Sequence, residues 1–543
     1  PNRTVRYPLL LVKNEDREVT AVRLGVSEGS HGTHVAGIAA GNGDTLEVRG
    51  AAPAAKLISI KVCSGITCST DSILRGLVET FYNEYSENPG MIPDVVNISL
   101  GSHQKYTQDI FDYLLRDLAA KFGATFVVSA SNSGPGHRSL NSIAAFGPTI
   151  QVGAHVTTES LQTQYALDPE VAKDMPYNNL LFFSSLGPSY TGHLRPNVIA
   201  PGSALSATAL TDDGLSMYNG TSMSSPIVAG SVAALISVAK EDPRFAELLR
   251  LRDEKIEAVQ AEARGEGAAG ELSLGAIPMA IRSALENTAT RLDQYTMLQQ
   301  GHGLINTSRA LKTLLELGEK WANKETQYFE VRINGNSKAK RLYSRAAKVE
   351  SNAIATISLE EDGEMSEVEK LRIRSTPIHV KLEKVDVQDP QGNVTELKDV
   401  LPFAVGTRGI EGQNSLEATL VLTNRRADFI SLRKLDQMQA GNTYIAHYAL
   451  YQAGVRVQSI VDAVHVPLDL SSIAREYVLP AISTERMVLR NAYAQRDVGI
   501  DSNTFHRYLV AVDNQDSQLT IDAGILKENN GALIITAYDP DGK

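Results

Sequence analysis

The chain has 543 residues, 43% of them hydrophobic and 21% charged, with a formal charge of -11. That length exceeds the size at which one hydrophobic core keeps growing, so about two to four domains are expected. An acidic balance spread along an ordinary globular composition excludes nonspecific nucleic-acid binding, which needs a basic face. The longest apolar run, residues 227–239, is too short to span a bilayer and is broken by Gly230, Ser231 and Ser237, so no membrane span is expected.

In chain order, apolar runs at 9–12 and 19–22 flank the polar turn 13–17 and predict a hairpin. A histidine string made mostly of small residues follows at 29–41 and predicts a helix. Residues 57–62 read as a short strand, 71–85 as helix, 94–100 as strand, 109–121 as helix, and 124–129 and 150–154 as strands. Continuous apolar strands alternating with helices predict an α/β fold with a parallel sheet covered on both faces. Active sites in such sheets form at the carboxyl ends of the strands. The chain's two cysteines, Cys63 and Cys68, share one short segment. They are either unrelated small residues of a cytoplasmic protein or a small-loop disulfide. The disulfide is the expectation, and it implies export to the periplasm or beyond the cell.

Residues 241–272 are rich in charged helix formers and predict a helical insertion projecting into solvent as a contact surface. Helical pattern resumes at 277–289 and again near 310–317. Beyond about residue 324 short alternating runs take over, among them 328–333, 353–359, 416–422, 442–451 and 455–466. They predict an antiparallel sandwich over 325–475, with a second, incomplete β unit at 476–543.

Chemistry concentrates in two strings. In Asn219-Gly220-Thr221-Ser222-Met223-Ser224-Ser225-Pro226, Gly220 permits a tight turn and Pro226 suits the first turn of a helix, which puts Ser222 at a helix mouth. A serine there is either a nucleophile favoured by the helix dipole or a plain N-cap, and the local residues leave both open. The other string is Gly29-Ser30-His31-Gly32-Thr33-His34-Val35-Ala36-Gly37. Small residues on both helices would let an imidazole on one reach a hydroxyl on the other.

Together the two strings resemble the subtilisin superfamily of serine peptidases. The resemblance covers roughly residues 25–240 and 277–315, and it makes the region 1–318 a subtilisin-like catalytic domain. It implies His31 as the base, Ser222 as the nucleophile and His34 as a structural histidine. Ser129-Ala130-Ser131-Asn132-Ser133-Gly134 resembles the family's Ala-Gly-Asn-x-Gly loop, with Ser131 in place of the glycine, and implies the Asn132 amide as oxyanion donor beside the Ser222 N–H. Asn97-Ile98-Ser99-Leu100-Gly101 resembles the segment that pairs with extended substrate, so Ser99, Leu100 and Gly101 are the substrate-binding candidates. Residues 182–188 and 198–202 match scaffold segments, with Leu186 where a cationic residue is common.

The family's aspartate, in an apolar strand ending Asp-Thr-Gly or Asp-Ser-Gly, has no counterpart in residues 1–30. Asp16 lies in a polar turn, and Glu15, Glu18 and Glu28 lack strand context. The expectation is an aspartate encoded upstream of Pro1. A large insertion before the histidine and β strands after Gln300-Gly301-His302-Gly303 resemble the tripeptidyl-peptidase II branch and its bacterial relatives. That branch holds the substrate amine with acidic residues; here one position is Ser102, and Asp71 is offset by one residue from the other. The resulting expectation is a serine endopeptidase acting on proteins or peptides through a Ser/His/Asp triad. The alternatives are a tripeptidyl aminopeptidase of the same family and a catalytically silent binding scaffold. No cofactor and no metal ligand set are expected; structural calcium and the oligomeric state are left open.

Overall fold

The structure is a computed structural model that describes residues 9–13, 19–24, 29–43, 48–64, 67–82, 92–101, 110–144, 149–165, 167, 169–189, 193–208, 214–263, 265–266, 276–322, 331–335, 342–344, 349–359, 377–390, 392–407, 415–422, 426–452 and 454–467. Glu15, Asp16, Glu18, Glu28, Ser102 and the second β unit expected at 476–543 lie outside these residues.

The expected hairpin forms from β1 (Leu9–Lys13) and β2 (Val19–Leu24), with Leu9 opposite Leu24. α1 (His31–Ala40) is the histidine helix. β3 (Cys63–Ser64) and β4 (Thr67–Cys68) place Cys63 opposite Cys68, and the two sulfurs are joined. Then come α2 (Thr70–Tyr82), β5 (Val95–Ile98), α3 (Ile110–Phe122), β6 (Thr125–Ser129), β7 (Ile150–Thr157), α4 (Thr158–Tyr165), α5 (Pro169–Lys173), β8 (Asn178–Leu180) and β9 (Val198–Pro201). The hairpin β10 (Ser203–Ala207) and β11 (Leu215–Asn219) leads into α6 (Thr221–Glu241). α7 (Ala246–Ala263), α8 (Ala276–Thr288), α9 (Met297–Gln300) and α10 (Thr307–Ala322) follow.

β5, β6, β7 and β9 pair in parallel, and β8 pairs antiparallel with the far end of β7. β6 shows why this sheet needs helices on both sides. All five of its residues are buried: Val127 packs with α6, α8 and α10, while Phe126 and Val128 pack with α2 and α3. Neither face of such a strand can meet water. α6 is apolar and long enough by composition to cross a bilayer, but most of it is buried inside this core. Its small residues allow close approach to α1. A Cβ added at Gly230 would stand 2.7 Å from the Ala39 carbonyl oxygen and 2.6 Å from Ala51 Cβ.

Two expectations are corrected. Residues 57–62 form no strand, and Leu57, Ile58 and Ile60 are 57%, 48% and 45% exposed. α2 covers the segment on one side, since a Cβ at Gly76 would lie 2.6 Å from Val62 and 3.0 Å from Ile60. No described strand pairs with it, and an extended segment without a ladder partner is no strand. The charged insertion does not simply project. Ile256 and Val259 of α7 are buried with α2 and α3, and Arg252 pairs with Asp94 at 2.9 Å while its Nε donates to the Phe122 carbonyl. Charge on the outer face of this helix conceals an apolar inner stripe.

From residue 331 on, the described elements are strands and one 3₁₀ turn at Leu435–Gln437. They are β12 (Val331–Gly335), β13 (Tyr343–Ser344), β14 (Asn352–Leu359), β15 (Ile378–Gln388), β16 (Val394–Leu397), β17 (Phe403–Thr407), β18 (Glu417–Leu420), β19 (Arg426–Arg433), β20 (Thr443–Gln452) and β21 (Val455–His465). One sheet has the order β12-β14-β19-β17, the other β13-β21-β20-β15-β16 with β18 also on β15. All pairs are antiparallel except β13 with β21, where Tyr343 lies beside Ala463. Ala355 and Phe429 of the first sheet share one core with Val380 and Tyr448 of the second. The strands also seat on the α/β part through an apolar patch of Leu186, Met297, Leu298, Ile445 and Val461. Beside it Arg291 Nη2 grips both oxygens of the buried Asp386 at 2.9 and 3.0 Å.

Candidate active site

His31 is the first residue of α1 and Ser222 the second of α6. Each stands eight residues before the point where the two helices touch, at Ala39 and Gly230. The β10–β11 hairpin ties both helix mouths to one frame. Ser206 Oγ donates to the His34 carbonyl at 2.8 Å, and the Gly220 N–H donates to Gly202 O at 2.8 Å.

His34 takes the structural place expected of it. It is fully buried, its Nε2 lies 2.9 Å from Ser216 O, and its ring stacks on Tyr218 at 4.3 Å. Burial lowers its pKa, against an opposing pull from the Ser216 and Ala204 backbone. Desolvation by surrounding protein, and then the nearby His34, likewise hold His31 below the ordinary histidine value. His31 itself stands exposed at the mouth of α1, and the lowered pKa favours the uncharged form, which accepts a proton.

Asn132 is joined to the residue preceding Ser222. Its Oδ1 accepts from Thr221 N at 3.0 Å and from Thr221 Oγ1 at 2.9 Å. Two donors on one oxygen settle which end of the amide is which, because the reverse orientation would set N–H against N–H. Nδ2 is left facing Gly220, 3.3 Å from where a Cβ on that glycine would stand. The loop that carries Asn132 is held open by Ser131 at φ +90°. Serine seldom adopts this left-handed conformation, which glycine takes freely. Ser185 N donating to Ser131 O and Ser133 N donating to Ser185 Oγ, both at 3.0 Å, pin it there.

Ser99 lies against the same helix mouth, and Leu100 and Gly101 lie against Asn141. Ser99 Oγ donates to Ser222 O at 3.0 Å, and Ser222 Oγ donates to Ser99 O at 3.4 Å. Leu100 O accepts from Asn141 Nδ2 at 2.8 Å, and a Cβ at Gly101 would collide with the Asn141 amide.

The structure thus gathers Ser222, Asn132 and residues 99–101. It does not join His31 to Ser222 by a hydrogen bond, and among the described residues no carboxylate bonds to His31. Among the described residues the Ser222 hydroxyl bonds instead to the Ser99 carbonyl. Three supporting residues escape a reading of the sequence: Thr221, Asn97 and Asn141. Asn97 Nδ2 donates to Ser99 Oγ at 3.1 Å and its Oδ1 accepts from Ser225 Oγ at 2.7 Å. An asparagine inside an apolar strand was a usable signal for Asn97, whereas Asn141 carries none. No described group of three or more His, Cys, Asp or Glu is placed to hold a metal ion.

A model of the subtilase family matches residues 11–303, more than half of the chain and inclusive of His31, Asn132 and Ser222. The chain belongs to the subtilase family. Subtilases are serine peptidases of the S8 class, and their α/β domain is the one described above. Tripeptidyl-peptidase 2 of Drosophila melanogaster is 29% identical over 331 residues, which are 60% of this chain and 20% of that protein. Pyrolysin of Pyrococcus furiosus is 28% identical over 359 residues, 55% of this chain and 23% of the relative. The chain therefore spans about a fifth of the length of these relatives. The crystal structure of tripeptidyl peptidase 2 has the same fold, with a TM-score of 0.55 at 22% identity, over 85% of this chain and 31% of that one.

Proposed function

We propose that this subtilase is a serine endopeptidase in which Ser222 is the nucleophile, His31 the base, and Asn132 Nδ2 with the Ser222 backbone N–H the oxyanion site. The junction of Asn132 with Thr221 carries this reading, because it fixes an amide donor beside the candidate nucleophile before any substrate arrives. Preorganised donors of this kind contribute only where charge develops. Ser222 Oγ attacks the peptide carbonyl and its proton passes to His31. The tetrahedral oxyanion is met by Asn132 Nδ2 and the first turn of α6. Collapse returns the proton from His31 to the departing amine, and water then hydrolyses the acyl-enzyme by the same path. The long bond from Ser222 Oγ to Ser99 O is weak enough to be given up to His31.

The orienting aspartate of the triad lies, in this reading, outside the described residues. The exposed apolar segment 57–62 and the edge of β5 that no described strand pairs support a further strand in that place. Residues 99–101 pair with the backbone of the substrate. Residues 1–318 make the catalytic domain, and 325–475 a β-sandwich domain whose two sheets share one core. The Cys63–Cys68 disulfide supports an exported protein.

The names of the relatives favour a second reading, release of tripeptides from free N-termini. Against it, Asp71, the carboxylate nearest in sequence to an amine-holding position, is engaged by Arg75 Nε at 2.8 Å in the exposed first turn of α2. Full-length protein assayed on an internally quenched peptide with an acetylated N-terminus separates the two. Cleavage within that peptide is the expected result. Activity confined to a free-amine tripeptide fluorophore would overturn the endopeptidase in favour of the aminopeptidase.

A further inference from the structure

The loop that carries Asn132 does not end at the active site. Its far end, at His137 and Arg138, is covered by the C-terminal strands. The rings of His137 and His465, both buried, lie 4.6 Å apart, and His465 is the last residue of β21. The Arg138 guanidinium sits over the Tyr343 ring at 5.2 Å, and Tyr343 meets His465 edge-on at 5.2 Å. Thr443 Oγ1, 2.7 Å from His465 Nδ1, fixes the plane of that imidazole.

Between these two ends the loop is hydrogen-bonded along one neighbouring strip, residues 183–187. Gly134 N donates to Phe183 O at 2.8 Å, Arg138 N to Gly187 O at 3.1 Å and Ser139 N to Leu186 O at 3.2 Å. Leu186 in turn is buried against Ile445 and Val461 of the C-terminal strands. Because Ser185 N also donates to Ser131 O, both ends of the loop are fastened to the one strip 183–187, and a shift of that strip reaches Ser131, which already holds an uncommon backbone angle.

We propose that the C-terminal sheet is part of the catalytic apparatus: His465 and Tyr343 are positioning residues that set the Asn132 amide through His137 and Arg138. This rests on the reading of Asn132 as the oxyanion donor. It departs from a plain domain contact in a measurable way. A residue acting through Asn132 changes kcat and leaves substrate binding alone, and its effect vanishes once the Asn132 amide is gone.

The test is a double-mutant cycle in the full-length protein, measuring kcat and KM on one peptide. His465→Ala is expected to lower kcat about 10-fold, as a small misplacement of a catalytic donor does, with KM within about twofold. In the Asn132→Ala background the same change is expected to cost less than about twofold. His465→Phe, which keeps a ring against His137, is expected to restore most of kcat. An equal loss in both backgrounds, or a loss confined to KM, would overturn the proposal and leave His465 a structural residue. Wild-type kcat in Asn132→Ala would overturn the oxyanion reading itself. A large loss in Asn132→Ala with none in His465→Ala would overturn this inference alone. If His465→Ala does not fold, judged by thermal unfolding, Arg138→Gln takes its place in the cycle under the same criteria.

Discussion

At the scale of single residues, the proposed mechanism depends on which atom of Asn132 is free to meet the oxyanion. Thr221 decides that, with its N–H and its hydroxyl both given to Oδ1. Thr221→Val removes the hydroxyl bond and keeps the shape. One neutral hydrogen bond is worth on the order of 1 kcal/mol, so kcat is expected to fall about 5-fold with KM unchanged. Steady-state kinetics check this, and unchanged kcat would mean that the N–H alone holds the amide. His31, Ser222 and Asn132 were singled out from the sequence because the strings that hold them resemble those of the subtilase family, and their roles stand as proposed. Thr221 lay inside such a string but looked like filler. Asn141, which fastens Leu100 O and Ser129 O, could not be read, since its partners are 41 and 12 residues away and nothing local marks it.

Among the elements, those buried on both faces were the easiest to foresee, β6 above all, because a continuous apolar run bounded by turn residues has few other outcomes. α7 was misjudged for the opposite reason. Its charges lie in plain view, as in the cluster of Arg250 with Glu247 and Glu254, whereas the stripe through Ile256 and Val259 matters only once α3 is there to meet it. Within the C-terminal sheets, Arg433 of β19 and Asp462 of β21 form a buried, two-pronged pair at 2.6 and 2.9 Å that links the two sheets. Ser431 adds a hydroxyl to the same carboxylate at 2.7 Å. Removing the negative partner strands a buried guanidinium. Asp462→Ala is therefore expected to cost about 3–5 kcal/mol in denaturant unfolding. A cost below about 1 kcal/mol would mean that water reaches the pair.

At the scale of the whole molecule, the contact between the α/β part and the strands brings a half-buried histidine of one, His302, to a buried histidine of the other, His447. His302 faces His447 with ring centroids 6.0 Å apart. Burial, first, lowers the pKa of both. For His302 the Glu286 carboxylate opposes this, while for His447 the neighbouring His302 and the cations Arg456, Arg291 and Lys384 add to it, so that its pKa falls well below the ordinary value. Glu383 also faces His447, at 3.6 Å from Nδ1, but it is already paired with Arg456. Histidines whose folded pKa is depressed contribute stability above their unfolded pKa of about 6.5, and that contribution is lost as the pH falls below it. The unfolding midpoint is thus expected to drop between about pH 7 and pH 5, and His447→Asn to flatten the drop. A midpoint that rises on acidification would contradict the assignment of neutral imidazoles. None of these contacts was visible in the sequence. Two histidines 145 residues apart meet only because α9 and β20 pack together.

The central claim is that Ser222 performs covalent catalysis. Full-length protein treated with a fluorophosphonate and mapped by peptide mass spectrometry tests it most directly. The account predicts a single stoichiometric adduct on the peptide that holds Ser222, loss of peptide hydrolysis in step with labelling, and neither labelling nor hydrolysis in Ser222→Ala. Undiminished hydrolysis by Ser222→Ala, or an adduct on another serine that tracks the loss of activity, would contradict it.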